Sequence, residues 1–121
     1  MKQILEYIKN NSKGNNNSPF IISDNITISY SEFYNELQIR KEKYKFLRSL
    51  PTKNIGIQYE ISIEFIYTFF VLISLNLTPV LFNTRLTSKE TLNLLEYSDC
   101  SYIFSNFDTN FQIGNLNNYE Q

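Results

Sequence analysis

Apolar positions along this chain recur in two rhythms, one helical and one extended. Over residues 2–10, Ile4, Leu5 and Ile8 repeat at helical spacing and predict an amphipathic helix. Residues 11–18 are polar, contain Gly14 and three consecutive asparagines, and predict a loop. Phe20-Ile21-Ile22-Ser23 and Ile26-Thr27-Ile28-Ser29 are short β-prone runs, and Asp24-Asn25 between them predicts a hairpin turn. Ser29 stands three residues before Glu32, the spacing of a capping box, in which each side chain satisfies an orphan backbone N–H. The helix it opens is expected to run to about Leu50, with Phe33, Leu37, Tyr44 and Leu47 near one stripe and Pro51 ending it.

The second half alternates. Residues 54–59 predict a strand, 61–75 a helix apolar on most sides and so deeply buried, and 77–82 a second buried strand. Thr87 is placed to cap the next helix, with Glu90 three residues on as reciprocal partner, and that helix is expected to end near Ser98. Ser101-Tyr102-Ile103-Phe104-Ser105 predicts a third strand, and residues 106–121 a polar tail. The expected fold is therefore α/β: a short β-hairpin followed by a βαβαβ unit with right-handed crossovers and a parallel sheet. One α/β domain over residues 1–105 and a polar C-terminal tail over 106–121 follow from this reading.

Composition narrows the function classes. The chain has 121 residues, is 42% hydrophobic and 19% charged, and reads as globular rather than disordered. Its formal net charge of -1 gives no global attraction to nucleic acid or anionic membranes. The single cysteine, Cys100, forms no internal disulfide and suits a reducing, cytoplasmic setting; its place before an apolar strand suits packing. The N-terminus lacks an apolar signal core. Residues 65–82 carry no charge and approach membrane-spanning length, but Asn76, Thr78 and Pro79 interrupt them, so a helix followed by a strand is the reading preferred over a membrane span. Histidine is absent, no carboxylate pair forms a recognisable acid–base arrangement, and no cofactor or metal site is expected.

One charge cluster stands out. Arg40, Lys41, Lys43, Lys45 and Arg48 sit on one predicted helix, interleaved with Tyr44 and Phe46. Lys41, Lys45 and Arg48 share a face at spacings of four and three. Arg40, Lys41, Lys45 and Arg48 are thus candidate contacts to nucleic acid or to a protein partner. The alternative is a solvated face favoured near a helix C-terminus by the macrodipole. Arg85 likewise has two readings, an anion contact at the start of the Thr87-capped helix or a structural turn arginine.

These elements carry a resemblance. Ile26-Thr27-Ile28-Ser29-Tyr30-Ser31-Glu32-Phe33, Asn54-Ile55-Gly56-Ile57, the helix after Ser62, Tyr102-Ile103-Phe104 and above all Pro79-Val80-Leu81-Phe82-Asn83-Thr84-Arg85-Leu86-Thr87-Ser88-Lys89-Glu90 resemble the opening of the adenylate-forming acyl-CoA ligases. The wording is closest to o-succinylbenzoate–CoA ligases. It departs at Asn76, where the family usually has glycine; asparagine tolerates the left-handed conformation that such a turn needs. The family's Ser/Thr/Gly-rich phosphate loop has no counterpart among Gly14, Gly56 and Gly114, nor do its acidic nucleotide motif and catalytic lysine region. The chain ends at Gln121, ahead of where the family carries them, so the resemblance implies a truncated fold without adenylation activity.

The same truncation implies uncovered apolar faces, including Phe65, Phe69, Phe70, Leu72, Ile73, Val80 and Phe82, that call for a rearranged core or a partner. The chain also resembles the small truncated-ligase-like proteins in the replication operons of staphylococcal cassette chromosome elements. That resemblance implies a non-catalytic accessory subunit that binds a larger protein, an A-family DNA polymerase, and supports primer synthesis, meeting nucleic acid through the complex. The alternative is an N-terminal fragment of an o-succinylbenzoate–CoA ligase without its active site.

Overall fold

A computed structural model describes residues 2–14 and 17–105, and the backbone of 113–115. Its element order is α1 (Lys2–Asn11), β1 (Pro19–Ile22), β2 (Thr27–Ser29), α2 (Tyr30–Tyr44), a 3-10 helix (Lys45–Ser49), β3 (Asn54–Gln58), α3 (Ile63–Ser74), β4 (Thr78–Leu81), α4 (Ser88–Tyr97), β5 (Cys100–Ser105) and β6 (Ile113–Asn115). The fold is mixed α/β, as the hydrophobic pattern predicts. It divides between Tyr44 and Lys45 into two compact units.

In the first unit, β1 and β2 form an antiparallel hairpin. The Ser23 N–H donates to the Ile26 carbonyl at 2.8 Å and closes the turn around Asp24-Asn25, as expected. The expected capping box opens α2. The Glu32 N–H donates to Ser29 Oγ at 3.1 Å, and the Ser29 N–H donates to Glu32 Oε1 at 3.0 Å. Ile8, Ile28, Phe33 and Leu37 are buried, and the Phe20 ring lies 4.8 Å from Phe33 and 4.9 Å from Tyr30.

The α-helix stops at Tyr44, six residues short of the expected end, and the chain tightens into the 3-10 helix. Pro51 restricts the residue before it, and i→i+3 bonds are the usual way a helix closes ahead of such a stop. The Leu50 N–H accordingly donates to the Leu47 carbonyl at 3.3 Å. Leu47 is fully buried.

The second unit is built on a sheet of order β4-β3-β5-β6. β3 pairs in parallel with both β4 and β5. β6 lies in the segment expected as a tail and pairs antiparallel with β5; the remainder of 106–121 lies outside the described residues. The crossovers from β3 to β4 and from β4 to β5 therefore run in opposite directions along the sheet, and right-handed connections place α3 and α4 on opposite faces. Phe82, Leu95, Cys100 and Ile103 form the core on the α4 side. Strand alternation sends the buried Ile55 and Ile57 to the other face.

Both helices of this unit end on a left-handed residue. Asn76 (φ 61) follows α3, and Asp99 (φ 58) follows α4. At α3 the Leu77 N–H donates to the Leu72 carbonyl at 2.9 Å and the Asn76 N–H to Ile73 at 3.0 Å, the two bonds of a Schellman cap. Asparagine thus takes the turn expected of it.

Two expectations about burial need correction. The strand over 77–82 is an edge strand with one partner, and Leu81 is 59% exposed. An uncharged run cannot tell an edge from a centre, although Pro79 does: the Thr78 N–H bonds Lys53 and the Phe82 N–H bonds Ile57, so Pro79 turns its missing donor outward. Helix α3 buries Tyr67, Thr68, Val71 and Leu72 but leaves Phe65, Ile66, Phe69, Phe70 and Ile73 half-buried. Among the faces expected to stay uncovered, Leu72 and Phe82 are buried. No helix among the described residues is long and apolar enough to cross a membrane.

A β-carbon added at Gly56 would lie 3.0 Å from Phe82 Cε1 and 3.2 Å from Ile103 Cγ1. Gly56→Ala should therefore lower stability by about 1–3 kcal/mol, read from urea unfolding, and an unchanged midpoint would contradict the packing described. The capping boxes carry a pH signature. The Ser29 and Thr87 backbone N–H groups hold the Glu32 and Glu90 carboxyls below the ordinary value of 4.5. Their stabilisation is present above that value and is lost as pH falls through the lowered folded-state value. The Glu32→Gln/Glu90→Gln variant should show a shallower loss of melting temperature on acidification below pH 4.5 than the parent.

Candidate interaction surface

In open parallel sheets, ligands meet the carboxyl ends of strands where the strand order reverses. Here that position lies between the ends of β3 and β5, and the chain fills it with its own polar side chains. Gln58, 3% exposed, ends β3. Its Nε2 donates to the Asn83 carbonyl at 3.0 Å and to Thr91 Oγ1 at 2.9 Å, while its Oε1 accepts from Ser105 Oγ at 3.2 Å. The end of β3, the end of β5, α4 and the loop before α4 are thereby tied to one amide. None of these groups titrates, so the arrangement holds loops in place and offers no nucleophile–base pair.

The Asn83–Thr87 stretch can be assigned residue by residue. The Arg85 N–H donates to Asn83 Oδ1 at 2.8 Å, an Asx turn. Thr84 Oγ1 donates to Glu60 Oε1 at 2.6 Å and links this loop to the one after β3. Leu86 packs against the α4-side core. Thr87 Oγ1 accepts from the Glu90 N–H at 3.1 Å, and Glu90 Oε1 accepts from the Thr87 N–H at 2.9 Å. Arg85 itself is exposed, and the contact that fixes it runs through its backbone.

The basic residues separate. Arg40 and Lys41 lie on α2 in the first unit; Lys45 and Arg48 lie on the 3-10 helix in the second. Spacings of four and three no longer define one face, because the helix type changes between Lys41 and Lys45. Arg40 Nε meets Glu36 Oε2 at 2.7 Å, one turn earlier on α2. Arg48 Nε donates to the Leu75 carbonyl at 3.3 Å. Cys100 is buried and 3.3 Å from Ser98 Oγ, and burial pushes its thiol up, away from the reactive thiolate.

The uncovered apolar surface expected around Phe65 and Phe69 extends to Ile61 and Leu81, which the sequence did not single out. Ile61 is 81% exposed just before α3, and Phe65 and Phe69 follow it at intervals of four. The Phe65 and Phe69 rings stack at 6.3 Å between centroids. Leu81 lies on the edge strand beside Ile57, on the sheet face that α3 covers. The all-round apolarity of residues 63–74 is the signal behind both expectations, a buried helix and an uncovered face. A second apolar depression of about 410 Å³ is lined by Leu86, Glu90, Asn93, Leu94 and Tyr97 on the α4 side. Among the described residues, no group of three or more Cys, Asp or Glu side chains is placed to hold a metal ion.

Gln58→Leu should cost about 1–3 kcal/mol in urea unfolding by removing the buried amide that Thr91 and Ser105 each bond. The triple variant Gln58→Leu/Thr91→Val/Ser105→Ala should recover much of that loss, since removing all partners spares the desolvation penalty. No protein-family model matches this chain, and no curated protein matches it either.

Proposed function

We propose that this chain is a non-catalytic, cytoplasmic accessory subunit that docks on a larger protein through the α3 side of its parallel sheet. The observation that carries the reading is the apolar row of exposed Ile61 and half-buried Phe65 and Phe69, together with exposed Leu81 on the neighbouring edge strand. Apolar surface of this kind, rich in aromatic rings, is the composition of an interface core. The identity of the partner rests on the sequence resemblance, which points to an A-family DNA polymerase and to primer synthesis for a mobile element. The non-catalytic reading rests on the sequence, which offers no phosphate-cradling loop and no histidine. The polar lock at Gln58 is compatible with it, because it occupies the place where such sheets bind small ligands.

The test is direct binding of the purified chain to an A-family polymerase from the same replication module, alongside the double variant Ile61→Lys/Leu81→Lys. Both positions are exposed, so the variant should keep the parent's circular dichroism and melting temperature while binding at least about tenfold more weakly. A folded monomer that binds no such polymerase would sink the reading. ATP–pyrophosphate exchange by the chain with o-succinylbenzoate would favour the ligase-fragment alternative instead.

A further inference from the structure

Two cationic side chains line one pocket in the second unit, and neither has an acid partner. Arg48, Lys53, Leu75, Asn76 and Leu77 enclose about 250 Å³. No acidic residue is among them. Arg48 reaches the pocket from the 3-10 helix, and its Nε bond to the Leu75 carbonyl at 3.3 Å uses one of five guanidinium donors. Lys53 comes from the residue before β3, and its carbonyl accepts from the Thr78 N–H at 2.8 Å, so its backbone is held. Among the described residues neither cation lies within ion-pair distance of a carboxylate.

The neighbourhood has been cleared of competing negative groups. The carbonyls at the end of α3 would repel an anion if bare. Leu75 O is taken by Arg48, Ile73 O by the Asn76 N–H and Leu72 O by the Leu77 N–H. Lys45 stands three residues before Arg48, and in a helix of three residues per turn the two side chains eclipse. Its charge therefore adds to the same side of the 3-10 helix.

We propose that this pocket binds a phosphate group, free or esterified in a nucleic-acid strand, through Arg48 and Lys53, with Lys45 strengthening the attraction. Helix-end capping accounts for Arg48 in part, but for nothing of Lys53. The proposal goes beyond the docking of a protein partner and does not depend on it, since the chain alone is tested.

The experiment titrates the full chain with a labelled single-stranded oligonucleotide by fluorescence anisotropy, and with inorganic phosphate by calorimetry, at low salt. Lys53→Gln is the decisive variant, because the Lys53 side chain holds nothing else in the fold. It should lower the slope of log K against log salt by about 0.7 for the single strand. Arg48→Gln/Lys53→Gln should weaken binding about tenfold or more, the size expected for lost hydrogen bonds to a charged group. Loss of phosphate binding in Lys53→Gln supports a free-phosphate source; loss confined to the oligonucleotide supports the esterified one. Binding by folded Lys53→Gln with unchanged affinity and salt slope overturns the proposal, as does a parent chain that binds neither probe.

Discussion

The ring of Phe82 lies across Gly56, in space that a methyl group would fill. Phe82 follows β4 and Ile103 belongs to β5, so side chains from both flanks of β3 meet over one stretch of bare backbone. That contact fixes register. Slipping β3 by one residue would bring Ile55 or Ile57 beneath the ring and reverse which face each residue serves. It also places Gln58, two residues on, toward the same face as Gly56, where it reaches Thr91 of α4. The apolar cluster of Phe82, Leu95 and Ile103 and the polar lock around Gln58 are thus consecutive layers under one helix.

The legible parts of the fold are those whose signal is local. Ser29 with Glu32 and Thr87 with Glu90 announce helix starts because a capping box is complete within four residues. Asn76 marks a left-handed turn because few other residues tolerate one. What escaped depends on neighbours distant in sequence. The edge position of β4 follows from strand order, which residues 77–82 do not encode by themselves. Gln58 was passed over as the last polar residue of a strand, since its three partners lie 25, 33 and 47 residues away. The shared face of Lys41, Lys45 and Arg48 assumes one continuous α-helix, whereas the chain changes to three residues per turn after Tyr44.

The edge at β4 illustrates how exposure is managed. A parallel edge strand offers unpaired donors and acceptors to any passing chain. Alternation directs Pro79 and Leu81 outward, and Pro79 has no N–H to give. Pairing by strand addition is thereby discouraged, while the side chain of Leu81 stays available. A partner that docks here gains more from side-chain burial against Ile61, Phe65 and Leu81 than from extending the sheet. That favours a packed helix or domain face over an extended peptide.

The residues that carry the resemblance to acyl-CoA ligases are mostly joints: a cap, an Asx turn and a glycine beneath a ring. They specify a fold, and folds of this kind host unrelated functions, so the surfaces must carry the functional argument. The two surfaces lie at opposite ends of the strands. Ile61 and Leu81 belong to the carboxyl ends of β3 and β4, while Lys53 and Leu77 immediately precede them. A strand of five residues separates those ends by roughly 17 Å. That distance exceeds the screening length at physiological salt, about 8 Å, so charge at one end barely perturbs binding at the other. The docking face and the cationic pocket proposed here are so separated that both can be filled together, each at its own affinity.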